Sequence, residues 1–250
     1  MPYSRPSRRL CEACLLDLGT HKLLLRPHRL KGEAFQSCDY VLHSSHPLGE
    51  DEKEDACAEL YADFRIEALR HVNEHYYIPR LIISAVVFLV AYLFFSLVIR
   101  DPLPMLDEII ISFALSAASF VLMRRGSRKT ALFRLLCEDC LDSLTSLDET
   151  VDDSLAQAEG YIRRLGEEWS TPELARLLAE GCLPSYEGDA PAWLRRLLVD
   201  YAHREEKIYG AFLRQLAKGP DPGLEYRLRE RAAQDNLDLR LLSFMYILDR

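Results

Sequence analysis

Residues 81–99 read LIISAVVFLVAYLFFSLVI, nineteen consecutive residues without a charge, fenced by Arg80 and Arg100. As a helix at 1.5 Å per residue this run is about 28 Å long, close to the thickness of a bilayer's hydrocarbon core. A second apolar run, Ile109 to Met123, follows and stops at Arg124-Arg125. Its fifteen uncharged residues are short for a crossing, so that span has to begin near Pro104. The pattern predicts transmembrane helix 1 over 80–100, a short external loop over 101–108 and transmembrane helix 2 over 104–124. Asp107 and Glu108 then fall at the outer interface.

Lys and Arg counts orient the pair. The connection RDPLPMLDE carries one Arg against Asp101, Asp107 and Glu108, whereas Arg124, Arg125, Arg128, Lys129 and Arg134 follow the second span. The positive-inside rule therefore places both termini in the cytoplasm and the connection outside, in an inner or plasma membrane. Glu12 and Asp17 interrupt the uncharged core that a signal peptide would need at SRRLCEACLLDL, so the first span acts as an internal insertion signal.

The chain has 250 residues, 28% of them charged, and a net charge of −8. A chain so acidic lacks the phosphate-neutralising face that nucleic-acid binding needs, and the basic cluster after span two is explained by anionic headgroups. Seven cysteines all lie outside the spans on the cytoplasmic side, where reduced thiols are expected.

Outside the membrane the reading is helical. A helix is expected from about Arg8 to Leu18 with Gly19 as its stop, inside an otherwise irregular segment 1–49 of loop and a short hairpin. From Glu50 to residue 79, Cys57, Tyr61, Phe64, Ala68, Val72 and Tyr76 mark one helix face. Over 127–168 a heptad-like seam runs through Phe133, Cys137, Cys140, Leu144, Leu147, Val151, Leu155, Ala158, Ile162 and Leu165, with one irregular step at Val151–Leu155. These two helices would form an antiparallel cytoplasmic stalk that brings Phe64 near Cys140 and Cys57 near Leu147. Residues 169–250 read as a helical domain. Its cap is Thr171-Pro172-Glu173, one long helix runs to Leu216, and another starts near Leu224. The apolar terminus Leu241, Leu242, Phe244, Met245, Ile247 and Leu248 needs burial, in its own domain or in a partner. The predicted fold is all-α: a two-helix transmembrane hairpin, its stalk, and a C-terminal helical domain.

Three patterns carry possible chemistry. L-C-E-x-C-L-x-x-L occurs at Leu10–Leu18 and again at Leu136–Leu144, so Cys11, Cys14, Cys137 and Cys140 make the two C-x-x-C pairs of a four-thiolate zinc site. Cys137 and Cys140 are equally explained as small apolar residues of the seam, and no cofactor is required. His71-Val72-Asn73-Glu74-His75 matches H-x-x-E-H, with His71 and His75 as metal ligands and Glu74 as base. A five-residue match with no third ligand is weighed as chance, and no enzyme activity is expected. Asp101, Asp107 and Glu108 would form a cation-attracting ring if the hairpin oligomerised, with Ser112, Ser116 and Ser119 lining a path. The plainer reading gives the acids to the topology rule. It gives the serines, with Ala114, Ala117 and Ala118, to close packing against span one or another subunit.

The function expected is a membrane-anchored, self-associating scaffold or adaptor for a cytosolic partner, with the bilayer and a second copy of the chain as partners. An oligomeric cation channel or membrane-perturbing effector is the alternative, and a zinc-dependent membrane enzyme the weaker one.

Overall fold

The structure, a computed structural model, describes residues 9–27, 38–98, 105–219, 221–234 and 237–249. They fall into two compact units, one drawn from 9–27, 38–60 and 143–249 and the other from 61–142. The protein is mostly helical, and two of its helices are long and apolar enough to cross a membrane.

The first unit is not all-α. Strands β1 (Arg9–Asp17), β2 (Lys22–Leu25), β3 (Cys38–Ser44) and β4 (Asp148–Val151) form one sheet in the order β2-β1-β3-β4. β2 pairs antiparallel with β1, whereas β1, β3 and β4 run parallel. The helix expected over Arg8–Leu18 is therefore a strand. Gly19, read as a helix stop, takes φ 79° in the turn to β2, where Leu18 N–H donates to the His21 carbonyl. Parallel strands covered on both faces lose the in-out alternation that identifies a strand. β1 is such a strand: Cys11 and Ala13 on one face and Cys14 and Leu16 on the other are all buried.

One face packs against helices. Cys14, Leu16 and Leu25 share a core with Leu155 and Ile162 of α5 (Asp153–Glu168), Leu174 of α6 (Thr171–Glu180) and Leu194 and Leu197 of α7 (Ala192–Arg204). Ion pairs Lys22–Glu52 and Lys53–Glu149 join β2 and β4 to the start of α1 (Glu50–His75). A π-helical turn at Glu206–Gly210 separates α7 from α8 (Ala211–Leu216), so the long helix expected there is interrupted. The last helix is two, α9 (Pro222–Gln234) and α10 (Leu239–Leu248), because Asp238 caps a new start by accepting from the Arg240 and Leu241 amides. Leu241, Leu242, Phe244 and Met245 of α10 are buried in the unit's own core. The apolar terminus is thus consumed internally and is no longer a reason to invoke a partner. Ser170 and Glu173 form a capping box with Pro172 in the first turn of α6, and Gly181 ends that helix at φ 70°.

The second unit contains the end of α1, then α2 (Tyr77–Val98), α3 (Met105–Arg125), a 3₁₀ turn at Gly126–Lys129 and most of α4 (Ala131–Thr145). Pro79 sits in the first turn of α2, where its missing N–H costs little. The helix read as continuous over 127–168 ends at Thr145. β4 follows, with Asp152 capping α5, so the irregular step at Val151–Leu155 marks a real break. α2 and α3 pack side by side. Phe64, Ala68 and Val72 of α1 and Phe133, Leu136, Cys137 and Cys140 of α4 are buried, and the Tyr61 hydroxyl meets the Cys137 thiol. Asn73 precedes Ser84 by as many residues as Ser127 follows Ser116, so the Ser84–Ser116 and Asn73–Ser127 contacts share one antiparallel register.

Candidate functional site

The serines of α3 serve the helix pair. Ser112 is fully buried, Ser116 Oγ donates to the Ser84 carbonyl at 2.7 Å, and Ser119 is half-buried. Such small polar residues let two helix backbones approach closely. Asp107 and Glu108 occupy the first turn of α3, where a carboxylate complements the helix dipole. Asp101 lies outside the described residues.

The cysteine pairs differ although their motifs match. Cys11 and Cys14 are three apart on an extended strand, so their side chains leave opposite faces and cannot hold one ion together. Cys137 and Cys140 share a helix face, but burial pushes the Cys137 thiol up. Burial also raises the Cys14 thiol well above its ordinary value, and the Glu159 and Asp152 carboxylates add to this. Metal ligation needs thiolates, which these surroundings disfavour. His71, Glu74 and His75 occupy the end of α1, where Glu74 accepts from Arg70 Nε at 3.1 Å and His75 stands edge-on to Tyr76. Among the described residues, no three His, Cys, Asp or Glu side chains cluster in a way that could hold a metal ion.

The residues that do converge were read only as a fence and a motif interior. Arg80 opens the apolar run, and its side chain turns inward until the residue is 7% exposed. Nη1 donates to Asn73 Oδ1 at 3.0 Å and Nη2 to Ser127 Oγ at 2.9 Å. The Ser127 hydroxyl in turn reaches Asn73 Oδ1 and the Arg124 carbonyl, both at 2.6 Å. The guanidinium also lies over the Tyr76 ring, 5.5 Å from its centroid. Beside this cluster a cavity of about 560 Å³ is walled by Arg70, Arg80, Arg124, Tyr77 and Phe120, with Asn73 and Glu74 at its side. The Tyr77 and Phe120 rings meet edge to face, 6.0 Å apart. Among the described residues, neither Arg80 nor Arg124 forms an ion pair with a carboxylate. An arginine as the last residue before an apolar run is the one signal of this cluster in the sequence.

A second buried group stands in the first unit. The His43 ring stacks on Trp193 at 4.0 Å, and neither ring nitrogen has a hydrogen-bond partner among the described residues. Burial lowers its pKa from the ordinary imidazole value, against the opposing pull of Glu12 and Asp152.

Compared with protein-family models, with curated proteins and with solved structures, the chain finds no match in any of the three.

Proposed function

We propose that this chain is a two-span integral membrane protein acting as a self-associating scaffold that presents its α/β unit to a cytosolic partner. One observation carries the reading: the apolar side chains of α2 and α3 stay largely exposed, Leu97 at 72% and Phe113 at 67% among them, while the first unit has a closed core. Exposed apolar surface on that scale calls for lipid. The basic residues after α3 orient the pair with both termini inside. α1 and α4 extend the pair as a cytoplasmic stalk, and their exposed Leu135, Leu141 and Ile66 offer apolar surface to a second copy. The partner's place is an apolar hollow of about 380 Å³ lined by Leu198, Val199, Leu213 and Met245, with Arg195 and His203 at its rim.

Ion conduction draws no support from a Ser116 engaged in helix packing, nor zinc catalysis from a Glu74 held by Arg70. Mass photometry of detergent-purified protein tests the scaffold directly. Dimers or larger species are expected, and a strictly monomeric protein with no co-purifying partner would overturn it.

A further inference from the structure

A guanidinium stays charged at any accessible pH and carries five N–H donors in a fixed fork. Buried charges are normally paired, because neutral hydrogen bonds only partly return the hydration an ion loses on leaving water. Arg80 is buried with two neutral oxygens for partners, Asn73 Oδ1 and Ser127 Oγ. The one carboxylate on the cavity wall, Glu74, is engaged by Arg70. Three arginines and one glutamate leave the cavity cationic in a chain whose net charge is −8.

We propose that this cavity binds the phosphate of an anionic phospholipid headgroup, with Arg80 as the fixed counter-charge at its base and Arg124 at its mouth. The proposal rests on α2 and α3 crossing a membrane. Its volume lies within the usual range for small-molecule sites. A lipid is favoured over a soluble phosphate because of what adjoins the opening. Tyr77 and Phe120 form an aromatic wall, and Ile78, Leu81 and Ile82 next to them on α2 are exposed. That is the depth at which aromatic rings and headgroups meet and at which acyl chains could run along the helices. Bidentate pairing of guanidinium with phosphate would supply the partner that Arg80 lacks.

Full-length protein in detergent is titrated with dioleoyl phosphatidylglycerol and, separately, dioleoyl phosphatidylcholine, and bound lipid is counted by native mass spectrometry. At least tenfold tighter binding of the anionic lipid is expected. Arg80→Gln should abolish that preference, and Arg124→Gln should reduce it about tenfold. Arg124→Gln keeps the backbone carbonyl that Ser127 uses, so it remains informative if Arg80→Gln fails to fold. The surface control Arg176→Gln should retain the preference. Equal binding of the two lipids, or a preference that survives Arg124→Gln, would overturn the proposal. Displacement of the lipid by equimolar glycerol 3-phosphate would overturn it too, by assigning the site to a soluble ligand. Alkaline carbonate extraction separates the failures: protein released from membranes fails the two-span reading, whereas a retained protein without anionic preference fails this proposal alone.

Discussion

Arg80 Nη2 and Ser127 Oγ meet at 2.9 Å, joining the residue that opens one apolar helix to the turn that closes the other. Because the bond is buried and Asn73 Oδ1 accepts from both partners, the three side chains act as one unit. Removing any one leaves a buried donor or acceptor without its partner, which costs about 1–3 kcal/mol. Ser127→Ala and Asn73→Ala should each lower the thermal midpoint in detergent. The double variant should lose clearly less than the two single losses combined, since both break the same network. Fully additive losses would show that the two residues act separately.

The α2–α3 seam predicts an asymmetry among the serines. Ser116→Ala removes one bond to the Ser84 carbonyl and should cost only about 0.6 kcal/mol, the usual worth of such a bond between membrane helices. Ser112→Ile adds bulk at a fully buried contact and should cost about 1–3 kcal/mol. Thermal unfolding of both variants in one detergent checks the ranking. The reverse order would place Ser112 away from the seam.

The two L-C-E-x-C-L-x-x-L segments mark where the sequence could and could not be read. In α4 the pattern is helical, and Cys137 and Cys140 fall on one face as their spacing suggests. In β1 the same pattern forms a strand, because apolar residues buried on both strand faces leave no in-out alternation to tell it from a helix. Asp148–Val151 offered even less, a four-residue strand without alternation, so the seam was carried through it into α5. The two long apolar helices needed only composition and length. Arg80 stayed hidden because its partners, Asn73 and Ser127, belong to a motif interior and a turn that periodicity does not address.

Opposite strand faces also yield a metal prediction. Cys14→Ser should destabilise the protein by about 1–3 kcal/mol by placing a hydroxyl in an apolar core. A zinc chelator should leave the unfolding midpoint of the unaltered protein unchanged. A chelator-induced drop, matched by stoichiometric zinc in the purified protein, would restore the four-thiolate reading.

His43 predicts an acid-sensitive stability. Its folded pKa is lowered by burial, so below the ordinary imidazole value of 6.5 the unfolded chain binds the proton that the folded protein refuses. Stability contributed by neutral His43 is therefore complete above that value and declines as the pH falls through and below it. Thermal midpoints between about pH 5 and pH 8 should fall on the acid side, and His43→Gln should flatten that limb. An unchanged slope in the variant would assign it to other groups.

The central claim is a two-span protein with its α/β unit inside, and a membrane-impermeant maleimide tests it most directly. Cys182 is exposed on the first unit, and Leu103→Cys puts a thiol in the segment that the sequence predicts to connect the two spans. In sealed right-side-out vesicles the thiol at 103 should react at once, and Cys182 only after the membrane is permeabilised. Immediate labelling of Cys182, or protection of position 103, would contradict the account.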